Sequence, residues 1–352
     1  MKKDIAFSLS IQREIEKHRL NVESEVNKSM NELGIRTLLH QSGIQKEKGF
    51  PTVTLLFALI VLPVIKQSLT ALWSGKFFEN MLQAHKDTYY RFLNHPCFNW
   101  RKLLALLVCR GGARTDRTPF NEKAIIADDS LLGKTGEKME LVSYHHDHTT
   151  NRSKLGYQML QIGLHNGTRF YPLDLGFHTS KNRPNDKLRE MDKRTNGWKR
   201  RKECFEKKTD LLVQMIRRCW QNGISARFVL FDSWFACDKV ISQILDIGYG
   251  VICRLKANKT HYHYQGKPMT LPQLWHTVAR HEIRWISSWQ IKAAILKVEL
   301  PLAGEVSIVF VRWSKKNWHA FLCTEAGMEI HEILDYYSRR WAIECYFRDC
   351  KQ

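Results

Sequence analysis

Two short apolar runs, Lys123–Ala127 (KAIIA) and Arg227–Phe231 (RFVLF), are each followed immediately by an aspartate, Asp128 and Asp232. Short runs of β-branched and aromatic residues read as buried strands, and strands buried on both faces need helices above and below the sheet. The neighbouring sequence supplies them. Thr209–Cys219 and Asp238–Ile247 are apolar at helical spacing, and Tyr249–Leu255 is a further strand-like run. Tyr157–Leu164 and Thr168–Leu173 flank His165-Asn166-Gly167, where an Asn-Gly predicts a hairpin. Strands, helix, strand, helix, strand in this order specify an α/β fold with a mixed sheet. A carboxylate at the end of a strand lies where open α/β sheets place their sites. Asp after a strand is also an ordinary turn residue, so neither aspartate decides the matter alone.

Residues 1–117 read as helical. Within them Leu55–Ile65 is an apolar run that Pro63 interrupts. It falls short of the roughly 20 residues that span a bilayer and reads as a core helix. Asp87-Thr88 and Asn99 offer N-caps to helices carrying Tyr89–Leu93 and Trp100–Cys109. Arg110–Arg117, rich in Arg and Gly, reads as a linker. At 260–330 the alternation breaks: Ile283–Ser287, Ile291–Leu300, Val306–Val311 and His319–Cys323 all read as strands. The last element, from His331 to the end, reads as one helix.

Charge narrows the partner. Fifty-five Lys and Arg against 35 Asp and Glu leave a net charge of +20, which points to a polyanion. A hydrophobic fraction of 43% with 11 Trp and 17 Phe excludes a disordered chain. The N-terminus lacks the apolar stretch of a signal peptide. With no membrane segment or basic amphipathic helix, nucleic acid is the expected partner. Lys181–Lys208 holds 12 Lys and Arg against 5 Asp and Glu, including Trp198-Lys-Arg-Arg-Lys202, and is expected to touch a DNA backbone. The nine cysteines are odd in number and lack CxxC spacing, which argues against a disulfide framework or a Cys-based zinc site. Consecutive His145-His146-Asp147-His148 cannot easily converge on one tetrahedral centre and read as a polar turn. Lys134-Thr135-Gly136 lacks the frame of a phosphate loop.

The final helix is decisive. At about 100° per residue, Tyr337, Arg340, Glu344 and Lys351 fall within an arc of about 60°. Ile333 shares that arc, and Tyr336, Ile343, Phe347, Leu334 and Trp341 flank it. A polar stripe down the middle of an apolar face needs partners: a metal, a phosphate or other charges. An internal Arg340–Glu344 ion pair is the bland alternative.

These four residues have the spacing Tyr-x2-Arg-x3-Glu-x6-Lys. By this signature the chain resembles the DDE transposases of bacterial insertion sequences, in the subgroup named for it. Asp128-Asp129-Ser130 is similar to the family's first Asp-x-Ser/Thr, and Asp232 to its second aspartate. The β-rich block lies where the subgroup carries an insertion. The resemblance covers about residues 85–352 and is weak before that.

The resemblance implies a ribonuclease H-like mixed sheet with a β-rich insertion and an N-terminal helical domain. The expected boundaries are 1–117 (DNA-binding helices), 118–259 (first part of the catalytic core), 260–330 (insertion) and 331–352 (final core helix). Asp128, Asp232 and Glu344 would be catalytic and would hold two Mg²⁺, or Mn²⁺ as substitute, roughly 4 Å apart. Alternation lets only one of Asp128 and Asp129 face the metals, and the family spacing favours Asp128. Tyr337, Arg340 and Lys351 would contact DNA phosphates. Trp313 and Trp318 are candidates to stack on a displaced base, with a core role the plainer reading. The implied partners are double-stranded DNA, both transposon ends and target, and a second copy of the chain when assembled on DNA. The implied location is the bacterial cytoplasm, at the nucleoid. The chain stops one residue after Lys351, so a truncated product that binds DNA without cutting and regulates a full-length relative is a rival expectation. A nuclease without strand transfer is another.

Overall fold

The computed structural model describes residues 21–64, 68–70, 84–113, 117–147, 150–179, 188–312 and 317–351. The chain divides into two compact units: Met1–Gly111 with Glu190–Arg200, and Gly112–Arg189 with Arg201–Gln352.

The described part of the first unit is helical, with α1 (Ile35–Gln41), α2 (Thr52–Val64), α3 (Lys86–Leu93) and α4 (Trp100–Val108) after a helical stretch at 21–32. Leu55, Ala58, Val61 and Leu62 of α2 are buried with Leu38, Leu39, Tyr89, Phe92 and Leu103. The apolar run is therefore a core helix, with Pro63 in its last turn. Ile65 lies outside the described residues. Asn99 caps α4 as expected, its side chain accepting from the Lys102 N–H at 2.9 Å. The cap of α3 is corrected: His85 occupies it, and its imidazole accepts from the Asp87 N–H. Part of the basic stretch belongs here too. Asn196 donates to the Cys97 carbonyl at 2.7 Å, and the Gly197 N–H donates to the Pro96 carbonyl at 2.8 Å.

The second unit is built on one mixed sheet, twelve-stranded among the described residues. Its strands are β1 (Ala124–Gly133), β2 (Ser143–Asp147), β3 (Arg152–His165), β4 (Phe170–His178), β5 (Phe228–Phe231), β6 (Gly250–Leu255), β7 (His261–Tyr264), β8 (Lys267–Thr270), β9 (Arg284–Ile286), β10 (Ile291–Leu300), β11 (Gly304–Arg312) and β12 (Trp318–Cys323). The order is β2-β3-β1-β5-β6-β12-β11-β10-β7-β8, with β4 on β3 and β9 on β10. The central trio β1-β5-β6 is parallel, and the strands on either side are antiparallel. The β-rich block thus extends the same sheet beyond β6. The Asn-Gly hairpin forms between β3 and β4, where Asn166 Oδ1 accepts from the Thr168 and Arg169 N–H groups and Gly167 takes φ 95°.

Helices cover both faces. On one, α8 (Ile330–Ser338) and α9 (Trp341–Lys351) bury Ile333, Leu334, Tyr336, Ile343 and Phe347 against Ala124, Ile126, Phe228, Leu230 and Ile252. On the other lie α6 (Lys208–Gln221) and α7 (Asp238–Ile247), buried through Leu211, Met215, Ile216, Val240, Ile241 and Ile244. Helix α5 (Asn196–Glu203) precedes them. Among the described residues no helix is long and apolar enough to cross a membrane. All nine cysteines are free thiols.

Three further expectations are corrected. The strand before Asp128 does not end there: β1 runs on through Asp128 and Asp129, because β3 continues to pair with it to Gly133. His145, His146 and Asp147 are strand residues of β2, held by β3, rather than a turn; His148 lies outside the described residues. The last helix is two helices. Arg339 and Arg340 form a tight turn in which their N–H groups donate to Tyr336 and Tyr337 carbonyls three residues back.

Phe228 is fully buried and meets Tyr336 edge to face at 4.8 Å. Phe228→Ala is expected to cost about 3–5 kcal/mol in urea denaturation, with loss of the contact between β5 and α8.

Candidate active site

Register places the two aspartates. In the parallel pair β1–β5, Ala124, Ile125 and Ile126 stand opposite Phe228, Val229 and Leu230. Two residues further on, in step, come Asp128 and Asp232. Pairing with β5 has ended by then, so the edge of β1 on that side is open. Side chains alternate, so Asp128 shares the face of Ala124 and Ile126, the face that α8 and α9 cover. Asp129 shares the opposite face, where it pairs with Lys208 at the start of α6.

Arg340, in the turn between α8 and α9, ties the first face together. Its Nη1 donates to Asp128 Oδ2 at 2.7 Å, and its Nη2 pairs with Glu344 on the first turn of α9. The bland Arg340–Glu344 pair is therefore present, and Asp128 shares the same guanidinium. Asp128 Oδ1 also accepts from the Asp129 N–H at 2.9 Å. Asp232 Oδ1 accepts from the Trp234 N–H at 3.0 Å. Its charge is felt by Asp128 on one side, and it feels Asp129, Arg340 and Lys208 in turn.

The electrostatics are those of half-desolvated carboxylates. Burial pushes the Asp128 carboxyl up to about 6; Arg340 and the Asp129 N–H oppose this, and Asp232 and Asp129 add to it. Burial also raises Asp232, against the Trp234 N–H, Arg340 and Lys208. Four carboxylates (Asp128, Asp129, Asp232, Glu344) gather round two cations (Arg340, Lys208), so anionic charge is left over. An anionic set of oxygen donors suits a hard divalent cation. Among the described residues, however, no three His, Cys, Asp or Glu side chains converge closely enough to hold a metal. Arg340 stands between two of the carboxylates instead.

The other signature residues take different places. Tyr337 packs on Phe321 at 4.8 Å, with the Arg340 guanidinium 5.9 Å from its ring. Burial raises its phenol to about 12, so it is a neutral donor. The Lys351 side chain and Trp313 lie outside the described residues. Trp318 stacks on Trp275 at 5.5 Å and leans on Phe310 at 5.5 Å, an aromatic packing cluster.

Sequence reasoning missed Trp234 and Lys208. Trp234 is half exposed, two residues from Asp232, with the Lys208 ammonium 3.7 Å above its ring. The available signal was the Trp in FDSWF; nothing in the sequence linked Lys208 to it. Burial also lowers His178 nearby, so it sits among these charges as a neutral ring.

The raised aspartates fix a sign for pH dependence. Asp128 binds its proton more tightly folded than at the unfolded value near 3.9, so the native state holds the extra proton between about pH 4 and 6. The contribution of Asp128 to the stability of the metal-free protein is present in full below that window and is lost as pH rises through it. Asp128→Asn should flatten the fall by on the order of 2–3 kcal/mol, read from urea midpoints at pH 4.5 and 7.

A family model described as DDE superfamily endonuclease matches residues 71–282, a span that contains Asp128 and Asp232 and ends before α8. No curated protein matches the sequence. Among solved structures, a Drosophila P element transposase strand transfer complex is similar at 10% identity and TM-score 0.30, covering 72% of this chain and 55% of that one. The chain thus spans about half the length of that transposase. The NurA nuclease from Sulfolobus solfataricus is similar at 8% identity and TM-score 0.30, over 62% of this chain and 72% of that one. Superpositions this loose add nothing to the argument from the family match, which covers more than half the sequence: the chain belongs to the DDE superfamily endonucleases.

Proposed function

We propose that this endonuclease is a transposase, which binds the terminal inverted repeats of an insertion sequence, cuts the DNA ends and joins them to target DNA. The observation that carries the reading is the pairing of the family match with one juxtaposition. Asp128 and Asp232 emerge in step where β1 and β5 part, and Arg340 draws Glu344 of the signature to the same face. The core of the sheet then takes a ribonuclease H-like form, with β7–β12 as its insertion.

Asp128, Asp232 and Glu344 are the residues to hold Mg²⁺, with Mn²⁺ as substitute. When bound, such ions activate water or a DNA 3′-OH and stabilise the leaving oxygen. The chain's own groups do the rest. Arg340 can grip a phosphate bidentately. Tyr337 donates one hydrogen bond from a phenol that stays protonated. Lys351 adds a further positive charge. Phosphodiester transfer depends on alignment and charge stabilisation, which this mixture of carboxylates and cations provides.

DNA binding by the first unit has its own support. A cavity of about 400 Å³ there is lined by Lys46, Arg91 and His95 together with Phe50, Phe92 and Phe98. Lys46 and Arg91 set among aromatic rings suit phosphates and bases. Acting on two transposon ends implies a second copy of the chain in the assembled complex.

The test is a labelled duplex made from the DNA flanking the gene, incubated with the protein and Mg²⁺. Discrete cuts at a repeat boundary and joined products are expected. Asp232→Ala, Asp128→Asn and Glu344→Gln should each lower cutting about 10²–10³-fold or more. Asp129→Asn should cost less, since Asp129 faces Lys208. Cutting without joined products would reduce the protein to a nuclease, and uncut DNA with bound protein would leave it a DNA-binding product.

A further inference from the structure

The transposase reading leaves one contact unexplained. Arg340 does not point away toward a phosphate. It sits with its side chain only 18% exposed, forked between Asp128 of β1 and Glu344 of α9. Nη1 and Nη2 each serve a different carboxylate, so the planar guanidinium spans them, a geometry that a lysine ammonium does not reproduce.

Physical constraint explains the fork. Carboxylates gathered in a half-desolvated site need a cation among them. Among the described residues Arg340 is the cation that pairs with Asp128 and Glu344, while Lys208 is engaged with Asp129 on the other face. A guanidinium and a divalent ion cannot both lie in the gap between Asp128 and Glu344, because like charges at that distance repel. While Arg340 is in place, no three acidic or metal-binding side chains converge among the described residues. Arg340 is also well placed to leave. It belongs to the two-residue turn between α8 and α9, so its side chain can swing without unseating either helix from the sheet. A DNA phosphate offers the guanidinium the same bidentate geometry as a carboxylate.

On the strength of the transposase reading, we propose that Arg340 is a resident counter-ion that occupies the metal site of the free protein and yields it when DNA phosphate captures the guanidinium. The site is then closed to metal until DNA arrives. By linkage, DNA raises metal affinity by the same factor as metal raises DNA affinity. A merely structural ion pair would stay in place and make no such demand.

The experiment is a calorimetric Mn²⁺ titration of the full chain, with and without a 30-base-pair duplex, corrected for Mn²⁺ taken up by the duplex alone. Without DNA, Arg340→Gln is expected to bind Mn²⁺ at least about tenfold more tightly than wild type. Lys208→Gln, which removes the cation that Asp232 feels from the opposite face, should tighten Mn²⁺ distinctly less than Arg340→Gln does. Adding duplex to wild type should tighten Mn²⁺ about tenfold, and to Arg340→Gln distinctly less. Equal affinities in wild type and Arg340→Gln, or an equal gain in Lys208→Gln, would overturn the proposal. Should Arg340→Gln not fold, the wild-type titrations decide: an affinity indifferent to duplex overturns it. Asp232→Asn separates the two layers. If it binds Mn²⁺ as wild type does, the metal-site reading itself fails, whatever Arg340 does.

Discussion

Three rungs of parallel pairing, Ala124–Ile126 against Phe228–Leu230, hold the chemistry of this protein in place. They bring two strands about a hundred residues apart in sequence into one register. They also stop early. Because β5 ends at Phe231 while β1 continues along β3, the carboxylates emerge together beside an open strand edge. A one-residue slip would turn Asp128 to the face of α6 and Asp129 to the face of α9. The register is guarded by the residues that precede it: Ala124, Ile126, Phe228 and Leu230 are buried under α8 and α9, and Ile125 and Val229 are buried on the other side.

Burial that secures the register also sets the electrostatics. Asp128 and Asp232 both hold their protons more tightly than free carboxylates, because burial strips water from them. Arg340 and Lys208 offset this from opposite faces, leaving Asp232 under the influence of both. The turn at Arg339-Arg340 matters here. It reorients the chain between two packed helices and lets a single guanidinium reach a strand carboxylate and a helix carboxylate at once.

Much of this was legible in the residues. The helices at Asp238–Ile247 and Thr209–Cys219, the strand at Ile291–Leu300 and the hairpin at Asn166-Gly167 follow from local periodicity and turn chemistry, which neighbouring structure does not overrule. The signature stripe could be read because charges had no reason to lie in an apolar face. Legibility failed where pairing partners decide. His145–Asp147 is a strand only because β3 is long enough to take it, and the His261–Tyr264 and Lys267–Thr270 hairpin lacks a strong apolar alternation of its own. A single stripe over His331–Lys351 requires an unbroken helix, and backbone bonding three residues back at Arg339 and Arg340 divides it into α8 and α9.

By itself, then, the sequence determined which residue types are available and which local elements they form: apolar runs followed by carboxylates, amphipathic helices, and a charged stripe at fixed spacing. Those depend on side-chain period and composition within a few residues. Only the tertiary structure decided that Asp128 rather than Asp129 looks toward Arg340 and Glu344, that Lys208 and Trp234 gather beside Asp232, and that Arg340 bridges β1 to α9. These depend on register and on which face each helix covers, long-range matters of packing that no local pattern encodes.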